Sequence, residues 1–154
     1  MNTDKEIYEI FTRCPEFVSE LSGLPSYGKS EFTSVNIKAI DRTTDGCEFP
    51  LDPKAPLRVV EFQFQRRSKK GNVYRRLVTS MALIQEENPS RGIEGVIFFG
   101  NESCDPKTEP WTDCNCIHRI VLKTALIELA ERDSKHPLVA VFQPVFEEDR
   151  DAVA

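Results

Sequence analysis

The segment from Leu57 to Gln65 constrains the fold of this chain most strongly, because its side chains alternate in character over the sequence L-R-V-V-E-F-Q-F-Q. Successive side chains of a β-strand point to opposite faces, so Val60, Phe62 and Phe64 share one face. The opposite face then carries a polar row of Glu61, Gln63 and Gln65. The pattern therefore predicts a half-buried strand whose polar row is a candidate site of chemistry.

Length and composition predict one globular domain. The chain has 154 residues, of which 40% are hydrophobic and 29% charged, which is ordinary for a single folded unit. We expect a domain over residues 1–146 and an acidic, disordered tail over 147–154. No apolar run approaches the ~18 residues that span a bilayer, and the first residues lack a signal-peptide pattern. These features, with five scattered cysteines, predict a cytoplasmic protein without membrane contact and with reduced thiols.

The order of periodic segments predicts an α/β fold. A capping-box pattern predicts a first helix that begins near Asp4, and a second helical segment ends at Gly23. Three strand-like segments, a helix over 71–85 and a buried strand over 95–100 come next. The segment 117–130 is predicted to be a helix and 138–142 a final strand. This order, α-βββ-α-β-α-β, favours a mixed central sheet flanked by helices.

The predicted helix over 117–130 has apolar residues on two sides. One stripe contains Leu122, Ala125, Leu126 and Leu129, and a second contains Ile117, Ile120, Val121, Thr124 and Ile127. A helix that is apolar on two sides is either sandwiched or dimeric. The pattern therefore raises the expectation of a homodimer formed through this last helix.

A second acid, Asp45, precedes the polar strand. It lies in T-T-D-G-C-E-F-P, residues 43–50, at a turn where a neighbouring strand would begin. An Asp-Gly pair alone is typical of any turn. Its combination with Glu61 and Gln63 on the next strand favours a site built from two carboxylates.

Three segments of the chain resemble the PD-(D/E)XK nuclease superfamily, in particular a bacterial branch of Rpn-like recombination-promoting nucleases, putative transposases and their relatives. The first is F-T-R-C-P-E-F-V-S-E-L-S-G-L-P, residues 11–25. The second is R-T-T-D-G-C-E-F-P, residues 42–50, and the third is V-E-F-Q-F-Q, residues 60–65. The superfamily has an α-β-β-β-α-β core with an Asp at a strand start and Glu-x-Lys on the next strand.

The resemblance implies a restriction-endonuclease-like fold and a Mg²⁺- or Mn²⁺-dependent DNA endonuclease linked to transposition or recombination. Asp45, Glu61 and the backbone carbonyl of Phe62 would be the metal ligands, since hard cations prefer oxygen. Gln63 occupies the position of the superfamily's lysine. A glutamine can align a water molecule but cannot act as a general base. A catalytically inactive nucleic-acid or protein interaction module is therefore the alternative.

The resemblance also suggests additional site residues. Glu20 or Glu16 would supply an extra acid from the N-terminal helical region. Although the net charge is −5, residues 66–76 contain six Lys and Arg residues and no acid, which favours contact with a DNA backbone. The nucleic-acid-binding candidates are Gln65, Arg66, Arg67, Lys69, Lys70, Tyr74, Arg75 and Arg76.

Three cysteines and a histidine near the C-terminal half raise the alternative of a zinc site. They are Cys104, Cys114, Cys116 and His118. Zinc sites normally separate paired ligands by two to four residues, whereas Cys114 and Cys116 are separated by one. The spacing disfavours zinc and favours unligated thiols.

Overall fold

A computed structural model describes residues 3–38, 42–67 and 70–142. Two short strands, β2 (Asn36–Ile37) and β3 (Arg42–Thr43), form a separate ribbon. A short helix, α5, covers 137–142. The other helices are α1 (Thr3–Arg13), α2 (Phe17–Ser22), α3 (Val73–Glu87) and α4 (Leu122–Arg132). The strands are β1 (Ser30–Thr33), β2 (Asn36–Ile37), β3 (Arg42–Thr43), β4 (Gly46–Pro50), β5 (Leu57–Gln63), β6 (Ile93–Phe99) and β7 (Ile117–Val121).

The central sheet has five strands in the order β1-β4-β5-β6-β7. The pairs β1–β4 and β4–β5 are antiparallel, whereas β5–β6 and β6–β7 are parallel. Helix α3 connects β5 to β6, as a parallel pair requires a long crossover. Two 3₁₀ turns, Glu102–Cys104 and Trp111–Asp113, lie in the connection from β6 to β7. The fold is thus a mixed α/β sheet flanked by helices, as the sequence predicts.

Strand β5 lies at the centre of the sheet and separates two hydrophobic cores. Val60 and Phe62 belong to the core that α1, α2 and α4 cover. Leu57 and Val59 belong to the core on the other face, beneath α3. Every residue of β5 is buried, including Glu61 and Gln63. The predicted alternation is therefore present, and Glu61 and Gln63 of the polar row are buried on the α3 side, whereas Gln65 lies beyond the strand and is exposed.

The C-terminal part differs from the sequence prediction in two places. Residues 117–121 form β7, not the first turn of a helix, and they pair in parallel with β6. Residues 138–142 are helical instead of a final strand. Leu138 and Phe142 are buried while Val141 is exposed, which is the spacing of one helical turn. The tail over 147–154 lies outside the described residues.

The prediction that the residues of the second stripe share one face of the last helix is also wrong. Ile117, Ile120 and Val121 belong to β7, so only Thr124 and Ile127 of that stripe lie on α4. Ile127 is exposed, while the other stripe is buried against the sheet. Of the apolar residues in the stripe that suggested a homodimer, Ile127 is the one that lies on α4. Among the described residues, no helix has the length and apolar character needed to span a membrane.

Candidate active site

The turn before β4 places Asp45 beside β5. Gly46 pairs with Val60, and Cys47 pairs with Val59. The same antiparallel register places Asp45 opposite Glu61, and directly opposite residues project from the same face of a sheet. A side chain at position 46 would overlap the Phe32 ring, so the glycine after Asp45 is required for packing.

The backbone of Phe62 holds the Asp45 carboxylate. The Phe62 N–H donates a hydrogen bond of 2.8 Å to Oδ2 of Asp45. In a strand, the N–H and C=O of one residue point toward the same neighbouring strand. The Phe62 carbonyl is therefore directed toward the side of β5 on which Asp45 lies.

Glu61 is 1% exposed and lies next to the buried guanidinium of Arg76. Nε of Arg76 is 3.5 Å from Oε2 of Glu61, a long ion pair. Neither Oε1 of Glu61 nor Nε of Arg76 has a hydrogen-bond partner among the described residues. Burial and the neighbouring Asp45 carboxylate raise the pKa of Glu61 well above 4.5, although Arg76 and Lys70 oppose this shift. Glu61 therefore holds its proton more tightly than an ordinary glutamate, next to the Asp45 carboxylate.

A cavity of about 460 Å³ opens in front of Asp45 and brings in a third acid, Asp4. Asp4 lies in the first turn of α1. Asp4 is exposed to solvent on one side, and partial burial against the cavity, followed by the Asp45 carboxylate, raises its pKa. The sequence pattern assigned Asp4 only to the start of a helix, and nothing in the local sequence indicates that this helix end lies beside Asp45.

The two acids proposed from the sequence lie elsewhere. Oε2 of Glu20 is 2.6 Å from Nε2 of His136, in a different cavity that Glu20 and Arg132 help to line. Glu16 is exposed at the start of α2. The structure brings neither of them to Asp45. Helix α2 packs against α4 and not over the start of β4, where Asp45 lies.

Lys70 supplies a positive charge at the cavity. Its Nζ is 3.6 Å from Oδ1 of Asp45, and its side chain is 67% exposed. Lys70 also opposes the upward pKa shifts of Glu61 and Asp4. Lys70 lies in the basic segment that the sequence predicts to bind DNA, and it also contacts Asp45.

Gln63 and Gln65 occupy different environments. Gln63 is buried, and its Nε2 donates a 2.7 Å hydrogen bond to the carbonyl of Gln65. Gln65 itself is exposed just beyond the end of β5. Neither Glu61 nor Gln63 lines the cavity in front of Asp45. Of the acidic pair, Asp45 lines the cavity, whereas Glu61 is buried and does not reach it.

The predicted nucleic-acid-binding residues fall into two groups. Arg66, Arg67 and Arg75 are exposed, as is Lys70. Tyr74 and Arg76 are buried, so their predicted contact with a DNA backbone is not available in this arrangement: Tyr74 donates a 2.6 Å hydrogen bond to Asp105, and Arg76 is the ion-pair partner of Glu61. Lys69 lies outside the described residues.

The structure separates the cysteines that suggested a zinc site. Cys104 is buried in the core beneath α3. Cys114 and Cys116 lie together, with their Sγ atoms 2.9 Å apart, while Nε2 of His118 is 3.5 Å from Oε2 of Glu94. Within the described residues, no group of three or more His, Cys, Asp or Glu side chains is close enough to share one metal ion.

The donors at Asp45 and Glu61 fit a hard divalent cation better than a soft one. They are carboxylate oxygens with a backbone carbonyl beside them, and Oε1 of Glu61 is buried without a hydrogen-bond partner among residues 3–38, 42–67 and 70–142. Mg²⁺ is commonly bound through one or two carboxylates, with water and substrate phosphates as its other ligands. Two carboxylates are therefore sufficient for such a site.

The fold and the site define a mixed α/β protein with a buried acidic pair next to an open cavity. The chain belongs to the family described as Protein of unknown function (DUF2887), whose sequence profile matches residues 3–154. No curated protein and no solved structure matches the chain.

Proposed function

We propose that this protein is a Mg²⁺- or Mn²⁺-dependent endonuclease that hydrolyses phosphodiester bonds in DNA. The observation that carries the proposal is the juxtaposition of Asp45, just before β4, and Glu61 on the adjacent strand β5. Oε1 of Glu61 is buried and has no hydrogen-bond partner in the part of the chain that the structure describes. Buried polar atoms are normally hydrogen-bonded, so such an exception calls for an explanation such as a bound ion or a catalytic role.

The order of elements supports the proposal. Helix α1, strands β1, β4 and β5, helix α3 and strand β6 follow one another around the main sheet. This is the α-β-β-β-α-β order that the resemblance to PD-(D/E)XK nucleases implies. Asp45 precedes the second of these strands, and Glu61 lies on the third, as that motif requires.

The site residues have distinct roles in this proposal. A bound divalent cation would neutralise charge on the phosphate and lower the pKa of a bound water. Asp45, Glu61 and the Phe62 carbonyl would hold it. The Phe62 N–H fixes the Asp45 carboxylate, and Arg76 restrains Glu61 from the α3 side. Arg76 is thus a positioning residue instead of a DNA contact.

Proton transfer falls to Asp4 in this proposal. Gln63 cannot act as a base near neutral pH, and its amide nitrogen is already bonded to Gln65. Asp4 faces the cavity, and its pKa is raised by burial and by Asp45. A carboxyl group with a raised pKa is better matched to proton transfer near neutral pH than an ordinary one.

The exposed basic residues favour DNA as the substrate. Arg66, Arg67 and Arg75 surround the end of β5 and the start of α3 without being buried. Contacts of this kind to phosphates provide affinity without sequence recognition. With the resemblance, and with free thiols in the described structure, we place this activity in the cytoplasm and link it to transposition or recombination.

A second candidate function is a DNA-binding or protein-binding module without turnover. The specific observation in its favour is that Glu61 and Gln63 are buried and do not line the cavity. In this alternative, the acidic pair is a remnant of a catalytic site, and the exposed arginines still bind nucleic acid.

The deciding experiment measures cleavage of supercoiled and single-stranded DNA with Mg²⁺ or Mn²⁺. Wild type is compared with Asp45→Asn, Glu61→Gln and Asp4→Asn, all purified identically, and Glu86→Gln serves as an exposed control acid. We expect nicking by wild type and Glu86→Gln, none by Asp45→Asn or Glu61→Gln, and slower nicking by Asp4→Asn.

DNA binding by the same proteins is measured in parallel. Retained binding with lost cleavage in the variants assigns their defect to catalysis. Binding without cleavage by the wild type supports the interaction module. Cleavage that is equal in all variants contradicts the proposed site.

A further inference from the structure

Cys114 and Cys116 form a close pair of thiols in the connection that leads into β7. Their sulfur atoms are 2.9 Å apart, and both residues are reduced. Cys116 is exposed and Cys114 half-buried. A small reagent can therefore reach the pair from solvent.

The backbone on both sides holds these two thiols in place. The amide of Ile117 donates to the carbonyl of Cys114 at 3.1 Å, which closes a turn around the pair. The amide of Cys114 donates to Trp111, and the carbonyl of Cys116 accepts a 2.8 Å hydrogen bond from Gly95 in β6. The two sulfurs are thus brought together by the fold, and little conformational entropy is left to lose when they react with each other.

The remaining cysteines have different surroundings. Cys47 and Cys104 are buried, and burial raises the pKa of Cys47 to about 12. Thiols that are buried in apolar surroundings react slowly, because the thiolate is the nucleophile. Cys14 is half-buried in the turn after α1 and provides an internal comparison for a single thiol.

We propose that Cys114 and Cys116 are a thiol modification site that is converted to an intramolecular disulfide by exchange with a low-molecular-weight disulfide such as glutathione disulfide. One thiolate attacks the reagent and releases one glutathione thiol, which leaves a mixed disulfide. The second thiolate attacks the protein sulfur and releases the second glutathione thiol. The protein loses two hydrogens, and the reagent is reduced to two thiols.

Either thiol can make the first attack, because the two sulfur atoms are adjacent, and the other thiol then resolves the mixed disulfide. The ring encloses only three residues and lies at the surface. Strained or exposed disulfides are readily reduced, so the modification is reversible.

The test uses the full-length reduced protein, treated with glutathione disulfide at pH 8 and analysed by intact mass and peptide mapping. We expect wild type to lose two hydrogens in the peptide that contains both cysteines and to keep no glutathione there. Cys114→Ser and Cys116→Ser should each keep one glutathione on the remaining cysteine. Cys14→Ser should form the disulfide like wild type, and dithiothreitol should restore both thiols.

Two results would overturn the proposal. One is a wild type that keeps glutathione on Cys114 or Cys116, since the second thiol then fails to resolve the adduct. The other is a wild type in which both thiols remain free under conditions that modify Cys14. Circular dichroism shows whether the serine variants fold. If either does not, the alkylation of Cys114 and Cys116 in wild type before and after oxidation still decides the question.

Discussion

The two ends of strand β5 each carry buried charges, and they differ in how those charges are paired. At the beginning of the strand, Arg58 is fully buried, and its guanidinium has three partners. Nε donates to Glu94 at 2.6 Å, Nη1 to Glu48 at 3.1 Å and Nη2 to the carbonyl of Pro25 at 2.9 Å. The Tyr27 ring also lies 4.8 Å from the guanidinium carbon. This end is a completed ionic network.

At the other end of β5, the charges are incompletely paired. The contact between Arg76 and Glu61 is 3.5 Å long, and each side chain has a buried atom without a hydrogen-bond partner within the described structure. A second carboxylate, Asp45, lies beside Glu61 and increases the repulsion. Because one strand contains both arrangements, the difference does not come from burial alone.

The comparison separates a completely paired set of buried charges from an incompletely paired one, and the proposed function applies to the second. A network with all donors and acceptors paired fixes the packing around it. An arrangement that leaves buried polar atoms unpaired reduces stability, and such arrangements are concentrated where a ligand or ion completes them. The predictions below follow from this difference between the Arg58 network and the Asp45–Glu61 pair.

The largest expected effect is on the Arg58 network. Arg58→Met leaves Glu48 and Glu94 without their buried partner, and breaking a buried ion pair costs about 3–5 kcal/mol. The free energy of unfolding, measured by urea denaturation at pH 7, should fall by that amount. Arg91→Met is the matched control, because the Arg91 side chain donates only to the carbonyls of Ala55 and Pro50 in the described structure.

The control should lose less stability than Arg58→Met. The triple variant with Glu48→Gln and Glu94→Gln should recover part of the loss, since it removes the unpaired carboxylates. A loss below about 1 kcal/mol in Arg58→Met, the size of an exposed ion pair, would mean that the network is not a structural unit.

A divalent cation should complete the other end of β5. At ten times its dissociation constant, a cation that binds only the folded state adds about 1.4 kcal/mol to the free energy of unfolding. For a domain of this size, the melting temperature should rise by about 3–6 °C. Thermal unfolding is measured with and without Mg²⁺ for wild type, Asp45→Asn, Glu61→Gln and the control Glu86→Gln.

The rise should be present in wild type and Glu86→Gln and absent from the two site variants. An equal rise in all four proteins would show that Mg²⁺ acts elsewhere, and the contrast between the two ends of β5 would then have no functional meaning.

The acidic pair could be predicted from the sequence because its determinants are local. The alternation in β5 assigns Glu61 to the polar face, and the short connection after β4 makes antiparallel pairing with Asp45 the simplest arrangement. The burial of Glu61 was not predictable in the same way. It depends on Arg76 and α3, and the helical period of α3 placed Arg76 away from the apolar stripe.

The third acid and the C-terminal elements depend on contacts that are distant in sequence. Asp4 reaches Asp45 only because α1 packs across the sheet, with Phe11 against Phe32 and Phe62. In the segment 117–121, the apolar spacing fits a helix as well as a strand. Pairing with β6 makes this segment a strand instead of a helix, and the local sequence does not indicate that pairing.

A smaller effect is expected from the charge of Glu61 in the absence of divalent cations. Its folded-state pKa is raised above 4.5, so the folded protein holds this proton more tightly than the unfolded chain. As pH rises above 4.5, the unfolded state loses the proton first, and stability falls until the pH exceeds the folded-state pKa. Glu61→Gln lacks this decline.

The measurement is the free energy of unfolding of wild type and Glu61→Gln at pH 5 and pH 8 in chelator. The two proteins should be close at pH 5, and Glu61→Gln should be the more stable at pH 8. Glu86→Gln should follow the wild-type profile. A Glu61→Gln protein that loses stability at pH 8 would indicate that the ion pair with Arg76 outweighs the cost of burying the Glu61 charge. The ion pairs of Arg58 with Glu48 and Glu94 would then be the appropriate comparison.

The smallest effect concerns Lys70, whose side chain is largely exposed. An exposed ion pair contributes less than about 1 kcal/mol, so Lys70→Gln should change stability little at pH 5. Lys70 nevertheless lowers the pKa of both Glu61 and Asp4, so its removal raises both values further. The loss of stability between pH 5 and pH 8 should therefore be larger in Lys70→Gln than in wild type. Lys54→Gln, an exposed lysine in the turn before β5, should keep the wild-type profile, and identical profiles for both lysine variants would remove Lys70 from the site.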